Sequence, residues 1–236
     1  MPGTLPDYTA KQAARIAGGA WLFVILAGIA AEFFIRMPLI VPGDAAATAA
    51  NIMGAEGRFR AGIALDSAML VFDVVAAVAL YTLFRRVHKS LALLAAFFRL
   101  VMDAVLAANL INLVLVLQFL NGSRHATVFP PEQLQHAVQY FLNAHGSGYD
   151  IALIFFGLHC FILGTLIYRS GFVPRGLGVL LLFASLGYLI DSFAHLLLPL
   201  GNALLAMSAA ALIAVAVLAE LSLSLWLLIR GAGQRI

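Results

Sequence analysis

Residues 187–199 read GYLIDSFAHLLLP, a stretch in which an aspartate and a histidine interrupt a run otherwise suited to lipid. Asp191 and His195 are four residues apart, so on a helix their side chains lie one above the other on a single face. A carboxylate and an imidazole are costly in hydrocarbon, and we expect both to face the interior of a helical bundle. One helix earlier, residues 145–160 (HGSGYDIALIFFGLHC) bring two more histidines into similarly apolar surroundings.

The composition identifies the solvent of this chain as a bilayer. Of the 236 residues, 63% are hydrophobic and 11% are charged, and the mean hydropathy is +1.01. The net charge is +3, and the positive charges lie mainly in short loops between apolar runs. This placement is typical of residues that set membrane topology and does not indicate a nucleic-acid partner. The two lysines, Lys11 and Lys89, lie outside the apolar runs, which excludes a retinal Schiff base within the bundle. A single cysteine excludes an intrachain disulfide.

Apolar runs predict an all-α integral membrane bundle of six transmembrane helices, with residues 1–236 forming one transmembrane helical domain. The predicted spans are 17–35, 59–84, 91–120, 149–168, 177–198 and 203–229.

The connections between the runs carry further helical patterns. Residues 131–143 place apolar and polar side chains on opposite sides, which predicts an extracytoplasmic amphipathic helix lying over the bundle between spans three and four. Gly146 and Gly148 then predict a bend into span four. Earlier in the chain, Asp44 is suited to cap a short Ala-rich helix ending near Gly54.

The distribution of lysine and arginine predicts that both termini lie in the cytoplasm. Nine such residues flank the spans on the terminal side, and four lie on the other side: Arg36, Arg58, Arg60 and Arg124. The expected location is the cytoplasmic (inner) membrane, with the lipid bilayer as the principal partner and a lipid or small molecule as a possible ligand.

Several stretches in combination resemble a known family. They are RIAGGAWLFVILAGIAAEFFIR (15–36), VPGDAAATAANI (41–52), LALLAAFFRL (91–100), AHG with FFGLHC (144–160), and the opening stretch itself. Together they resemble the bacterial multi-pass membrane proteins grouped as domain of unknown function 4386. The resemblance implies a bundle of six or seven helices in the bacterial cytoplasmic membrane, and it implies no activity.

Acidic side chains outnumber arginines within the predicted spans. Apart from the first two residues of each span, one arginine, Arg99, accompanies six carboxylates: Glu32, Asp66, Asp73, Asp103, Asp191 and Glu220. The carboxylates that Arg99 does not neutralise must be protonated, bind a cation or face water. This imbalance is the strongest functional signal in the sequence.

One group of polar residues is expected near the outer leaflet. Asp191 and His195 are the candidate catalytic pair, in which His195 binds a metal or moves a proton while Asp191 also binds or orients the ring. His145 is a further candidate ligand, with Glu32 or Asp66 on the opposite wall. The plainer alternative is an interhelical hydrogen bond that fixes packing.

A second group is expected nearer the middle of the membrane. Arg99 is predicted to pair with Asp103 one turn away, with Asp73 across the helix interface, or with both. His159 is predicted to form a hydrogen bond with Glu220 or Asp103. These residues are interpreted as structural or as parts of a proton relay.

Four functions fit these patterns. The first is a metal site with hydrolase-like chemistry, using zinc or another divalent ion held by two histidines and a carboxylate. The second is a small transporter coupled to protons or cations through the intramembrane carboxylates. The third is a haem protein with His145 and His195 as axial ligands, and the fourth is a structural or sensing protein. No phosphate-binding loop, G-x-S-x-G or H-E-x-x-H motif is present, which removes the commonest enzyme signatures.

Overall fold

A computed structural model describes residues 9–121, 129–198 and 203–231, and in the last range the side chains are described from residue 214 onward. The helices are α1 (Ala10–Ile29), α2 (Ala45–Gly54), α3 (Glu56–Phe84), α4 (Lys89–Asn121), α5 (Pro131–Ser170), α6 (Arg175–Leu197) and α7 (Ala203–Ile229). The first helix continues as a π-helical segment, Ala30–Arg36, and a 3₁₀ turn, Met37–Leu39. No strand occurs among these residues, so the predicted all-α class is confirmed.

Among the residues that the structure describes, five helices are long and apolar enough to cross a membrane. They are α1 with its extension (Ala10–Leu39), α3, α4, α5 and α6, with mean hydropathies between 1.9 and 2.3. In α7, the apolar portion with described side chains is Ala214–Ile229. The chain is therefore a multi-pass membrane protein, and α7 occupies the position of the sixth predicted span.

The six long helices form a closed ring. From α3 to α7 each long helix packs against the next in the chain, and α1 packs against both α3 and α7. Gly18 makes the closing contact possible, because a Cβ at this position would lie 2.5 Å from the backbone of Ser224 and Leu228 on α7. The ring encloses the main apolar core, which includes Trp21 and Leu223.

The region predicted as a separate amphipathic helix forms the beginning of α5. Helix α5 runs without a break from Pro131 to Ser170, so Gly146 and Gly148 do not interrupt it. A Cβ at Gly148 would overlap the side chain of Asn109 on α4, and this glycine therefore permits close helix packing. At about 1.5 Å per residue, α5 is about 60 Å long, roughly twice the thickness of the hydrocarbon layer.

A smaller apolar cluster lies beneath α2, at the end of the ring where α1, α4 and α6 end. Asp44 caps α2 as predicted, accepting a hydrogen bond from the Ala47 backbone N–H at 2.8 Å, and α2 ends at Gly54. The cluster contains Leu39, Ile52, Phe59, Leu113, Val116, Leu117, Val138 and Leu142. Along each contributing helix, a polar layer that includes Arg36 and His145 separates this cluster from the main core.

Candidate functional site

Helices α5 and α6 bring the candidate site together because they are antiparallel neighbours. Gly171 begins the short connection between them and has φ +72°, in the left-handed region that glycine tolerates best. Close to this turn, a Cβ added to Gly164 would lie 2.9 Å from the carbonyl oxygen of Gly178. The tight packing of the pair sets residues near the start of the membrane part of α5 beside the end of α6.

Asp150 of α5 meets Asp191 and His195 of α6 at this end of the bundle. The His195 Nδ1 atom is 3.6 Å from Asp191 Oδ1 and 3.8 Å from Asp150 Oδ1. One ligand atom from each of the three residues lies within 4.8 Å of the others. These separations are too long for direct hydrogen bonds, so the three groups converge without satisfying one another.

The three side chains differ in exposure. The Asp191 side chain is 8% exposed, that of Asp150 is 25% exposed and that of His195 is 42% exposed. The Asp191 carboxylate is therefore buried, whereas the His195 ring is accessible from the surface of the bundle.

His145 is not part of this group. Its ring is buried, with Nδ1 3.5 Å from the Asn109 carbonyl oxygen, and the Asn109 amide donates to the His145 carbonyl oxygen at 2.8 Å. Asp150 follows His145 by five residues, which on a helix is one full turn plus a rotation of about 140°. His145 and Asp150 therefore point to different sides of α5, His145 toward α4 and Asp150 toward α6.

Glu32 and Asp66 also lie outside the group, because Arg36 holds both. The Arg36 Nε donates to Glu32 Oε2 at 2.8 Å, and the guanidinium nitrogens NH1 and NH2 both contact the Asp66 carboxylate. The predicted span 17–35 places Arg36 at the start of a connecting loop, and this prediction is wrong. It is 4% exposed and lies at the end of the π-helical segment that continues α1.

Arg99 pairs with Asp73 of α3 and not with Asp103. Its Nε donates to Asp73 Oδ2 at 2.8 Å, and its NH2 contacts Asp73 Oδ1. The guanidinium also lies 4.5 Å from the centre of the Trp21 ring, a cation–π contact that directs it toward α1 and α3. The predicted contact with Asp73 is confirmed, and the i,i+4 ion pair with Asp103 does not form.

The predicted partners of His159 are wrong as well. His159 Nδ1 lies 2.8 Å from the Ala95 carbonyl oxygen, and Nε2 lies 3.1 Å from Arg99 NH1. Glu220 instead accepts hydrogen bonds from the Trp21 indole N–H at 2.9 Å and from the Tyr188 hydroxyl.

The charge balance of the spans changes with these contacts. Arg36 compensates the charges of Asp66 and Glu32, and Arg99 compensates the charge of Asp73. The buried or half-buried carboxylates with no arginine partner among the described residues are Asp103, Asp150, Asp191 and Glu220. Asp150 lies two residues after Gly148, at the start of predicted span four, and is not among the candidates that the sequence indicates.

Comparison with known proteins places the chain in a family. The family model for DUF4386, a domain of unknown function, matches residues 16–231. The chain belongs to the DUF4386 family. An uncharacterised protein of Archaeoglobus fulgidus is 35% identical to this DUF4386 chain over 123 residues. The aligned region covers 52% of this chain and 60% of that protein. No solved structure matches the chain.

Membership of the DUF4386 family confirms the resemblance carried by the five quoted stretches. Four of those stretches contribute directly to the polar sites. Residues 15–36 carry Arg36, residues 91–100 carry Arg99, residues 144–160 carry His145 and His159, and residues 187–199 carry Asp191 and His195. The function of this DUF4386 protein must accordingly be argued from its own side chains.

Proposed function

We propose that this DUF4386 protein binds a divalent metal ion at Asp150, Asp191 and His195, and that the bound ion supports hydrolase-like chemistry at the outer face of the membrane. The observation that carries the proposal is the convergence of three ligand atoms within 4.8 Å. Neighbouring ligands of a zinc ion, each about 2.0–2.2 Å from it, are about 3–4 Å apart. The His195 separations of 3.6 and 3.8 Å fall in this range.

The chemistry of the three residues suits a catalytic ion. One imidazole and two carboxylates are ligands that zinc accepts, and a site with three protein ligands retains a position for water. A divalent ion in such a site lowers the pKa of bound water and polarises a carbonyl or phosphoryl oxygen. Because the His195 side chain is 42% exposed, a lipid headgroup or small molecule would reach the ion from this side.

The placement of the site outside the cytoplasm depends on the proposed topology. We propose that α7 is a sixth span, because a helix of 27 residues is about 40 Å long and exceeds the hydrocarbon thickness of about 30 Å. Six spans put both termini on one side, and the excess of lysine and arginine there favours the cytoplasm of a bacterial cell. Asp150 and His195 then lie at the extracytoplasmic ends of their spans.

Metal analysis of the purified protein after zinc loading and removal of excess ion tests the proposal. We expect one zinc ion per chain in the wild type, and loss of most of this zinc in Asp150→Asn, Asp191→Asn and His195→Ala. The matched control is the double variant Glu132→Gln with His136→Ala, which changes an exposed carboxylate and an exposed imidazole in the first two turns of α5, away from the site. The control should retain full zinc, whereas a wild type without zinc, or zinc that survives all three site variants, contradicts the proposal.

A further inference from the structure

Asp103 occupies the middle of the bundle and lacks the hydrogen-bond donors that Asp66, Asp73 and Glu220 have. It lies near the centre of α4 and is 6% exposed, and its neighbours Asp73 and Arg99 are 1% and 0% exposed. Both carboxyl oxygens of Asp103 are buried without a hydrogen-bond donor. An ionised carboxylate in this state carries the full cost of desolvation.

The surrounding donors are already engaged. Arg99 directs Nε and NH2 to Asp73 and NH1 to His159 Nε2. Since His159 Nδ1 faces the Ala95 carbonyl oxygen, it must donate its proton there, and Nε2 is left to accept from Arg99. His159 is therefore neutral and has no proton to give to Asp103, and no N–H of Arg99 forms a hydrogen bond with the Asp103 carboxyl.

A proton on Asp103 removes the cost of the buried charge and also turns the carboxyl into a hydrogen-bond donor. The Asp103 carboxyl lies within hydrogen-bonding reach of Asp73, yet two ionised carboxylates repel each other and neither can donate. A protonated Asp103 donates to Asp73 and reduces the three groups Asp103, Asp73 and Arg99 to a net charge of zero. Two acids that share a site ionise separately for the same reason.

Glu220, by contrast, does not need a proton to satisfy its oxygens. It accepts hydrogen bonds from Trp21 and from Tyr188, so its oxygens have donors when it is ionised. The charged and titratable groups around the pair are Asp73 from α3, Arg99 from α4, His159 and Cys160 from α5 and Glu220 from α7.

We propose that Asp103 is a proton-binding site in the middle of the membrane, holding one proton that it donates to the Asp73 carboxylate anchored by Arg99. Uptake of the proton converts the Asp103 carboxylate into a carboxylic acid, and its release returns the proton to water. This reversible site is separate from the metal site, which lies at the end of α6 beside the middle of α5. It supplies the bundle with a group that couples a conformational or transport step to protonation.

Infrared spectroscopy of the protein in lipid nanodiscs tests the proposal, because a protonated carboxylic acid has a carbonyl stretching band that a carboxylate lacks. At neutral pH we expect this band in the wild type and in Glu220→Gln, and its loss in Asp103→Asn. Asparagine donates to Asp73 as the acid does, so Asp103→Asn should fold and melt at least as high as the wild type. A band that is unchanged in Asp103→Asn, or lost in Glu220→Gln, overturns the proposal, as does an unfolded Asp103→Asn.

A titration of the wild type alone provides a second measurement that requires no variant. Raising the pH should remove the band reversibly and lower the melting temperature, since the ionised Asp103 then repels Asp73. The melting temperature of Asp103→Asn should lack this alkaline component. A wild-type band absent at every pH from 5 to 9 overturns the proposal.

Discussion

Two buried arginines, Arg36 and Arg99, hold acidic side chains from a neighbouring helix, and each joins α3 to another part of the ring. Arg36 reaches Asp66 from the extension of α1, and Arg99 reaches Asp73 from α4. A buried ion pair of this kind adds little to the stability of a fold when it is compared with a pair of apolar side chains in its place. Removal of one partner is costly, because the other charge remains buried without compensation.

Replacing Arg36 by leucine should lower the free energy of unfolding by about 3–5 kcal/mol, provided that Asp66 stays ionised. The matched control is Arg60→Leu, which removes an i,i+4 pair with Glu56 on the surface of α3 and should change stability little. Reversible unfolding in detergent measures both. Equal effects of the two substitutions would mean that the Arg36 pair does not stabilise the fold.

Trp21 supplies the indole N–H that Glu220 Oε2 accepts at 2.9 Å. Trp21→Phe preserves an aromatic ring near Arg99 but removes this donor, and we expect a loss of about 1–3 kcal/mol in unfolding free energy from the buried acceptor left unpaired. Trp226→Phe is the matched control, because Trp226 is only partly buried against the same core. A loss no larger for Trp21→Phe than for Trp226→Phe would argue against a stabilising hydrogen bond.

Glycines at helix contacts determine how closely the elements approach. A Cβ at Gly18 would meet the backbone of α7 at 2.5 Å, whereas a Cβ at Gly57 near the start of α3 would meet no atom within 4 Å. Alanine should therefore have opposite effects at these two positions. Gly18→Ala should destabilise the protein by about 1–3 kcal/mol through overpacking, and Gly57→Ala should be neutral or stabilising by up to about 1 kcal/mol through helix propensity.

Thermal unfolding of Gly18→Ala and Gly57→Ala in the same detergent measures the difference. A Gly18→Ala protein as stable as the wild type would indicate that α1 and α7 are not in close contact.

The helices themselves could be predicted from the sequence because hydropathy is a local property. A run of apolar residues long enough to span a bilayer forms a helix wherever it packs, since no water is available to satisfy its backbone. The cap of α2 by Asp44 could be predicted for the same reason, as both partners lie within one turn. The continuity of α5 could not, because the packing of Gly148 depends on Asn109, 39 residues earlier in the chain.

The contacts of the polar residues were harder to predict. Arg36 follows an apolar run and resembles a flanking loop residue, and its partner Asp66 lies on another helix 30 residues later. Glu32, four residues before Arg36, was the one local signal of that network. For the candidate metal site, the sequence pairing of Asp191 with His195 rests on helical spacing, whereas the approach of Asp150 depends on how α5 and α6 are rotated against each other.

At the scale of the whole molecule, the closed ring places the two proposed sites at different depths. The metal site lies at the end of the bundle where α6 ends, and the Asp103–Asp73 pair lies near the middle of α3 and α4. The polar layer around Arg36 separates the main core from the small cluster beneath α2. The proposed function requires this cluster and the metal site to face the outside of the cell.

Reporter fusions test this orientation. In the proposed topology of six spans, both termini lie in the cytoplasm. A reporter that works only in the cytoplasm should then be active at residue 8 and after residue 231, and a reporter that works only outside should be active between residues 122 and 128. The C-terminal fusion also tests whether α7 crosses the membrane. Termini on opposite sides would exclude six spans, and a cytoplasmic 122–128 connection would reverse the proposed orientation.

The central claim is that Asp150, Asp191 and His195 hold a metal ion, and X-ray absorption spectroscopy at the zinc edge of the zinc-loaded protein tests it most directly. The result expected is a shell of nitrogen and oxygen ligands at about 2.0–2.2 Å without sulfur, with outer-shell scattering from one imidazole that disappears in His195→Ala. Zinc bound through sulfur, or imidazole scattering that persists unchanged in His195→Ala, would contradict the claim.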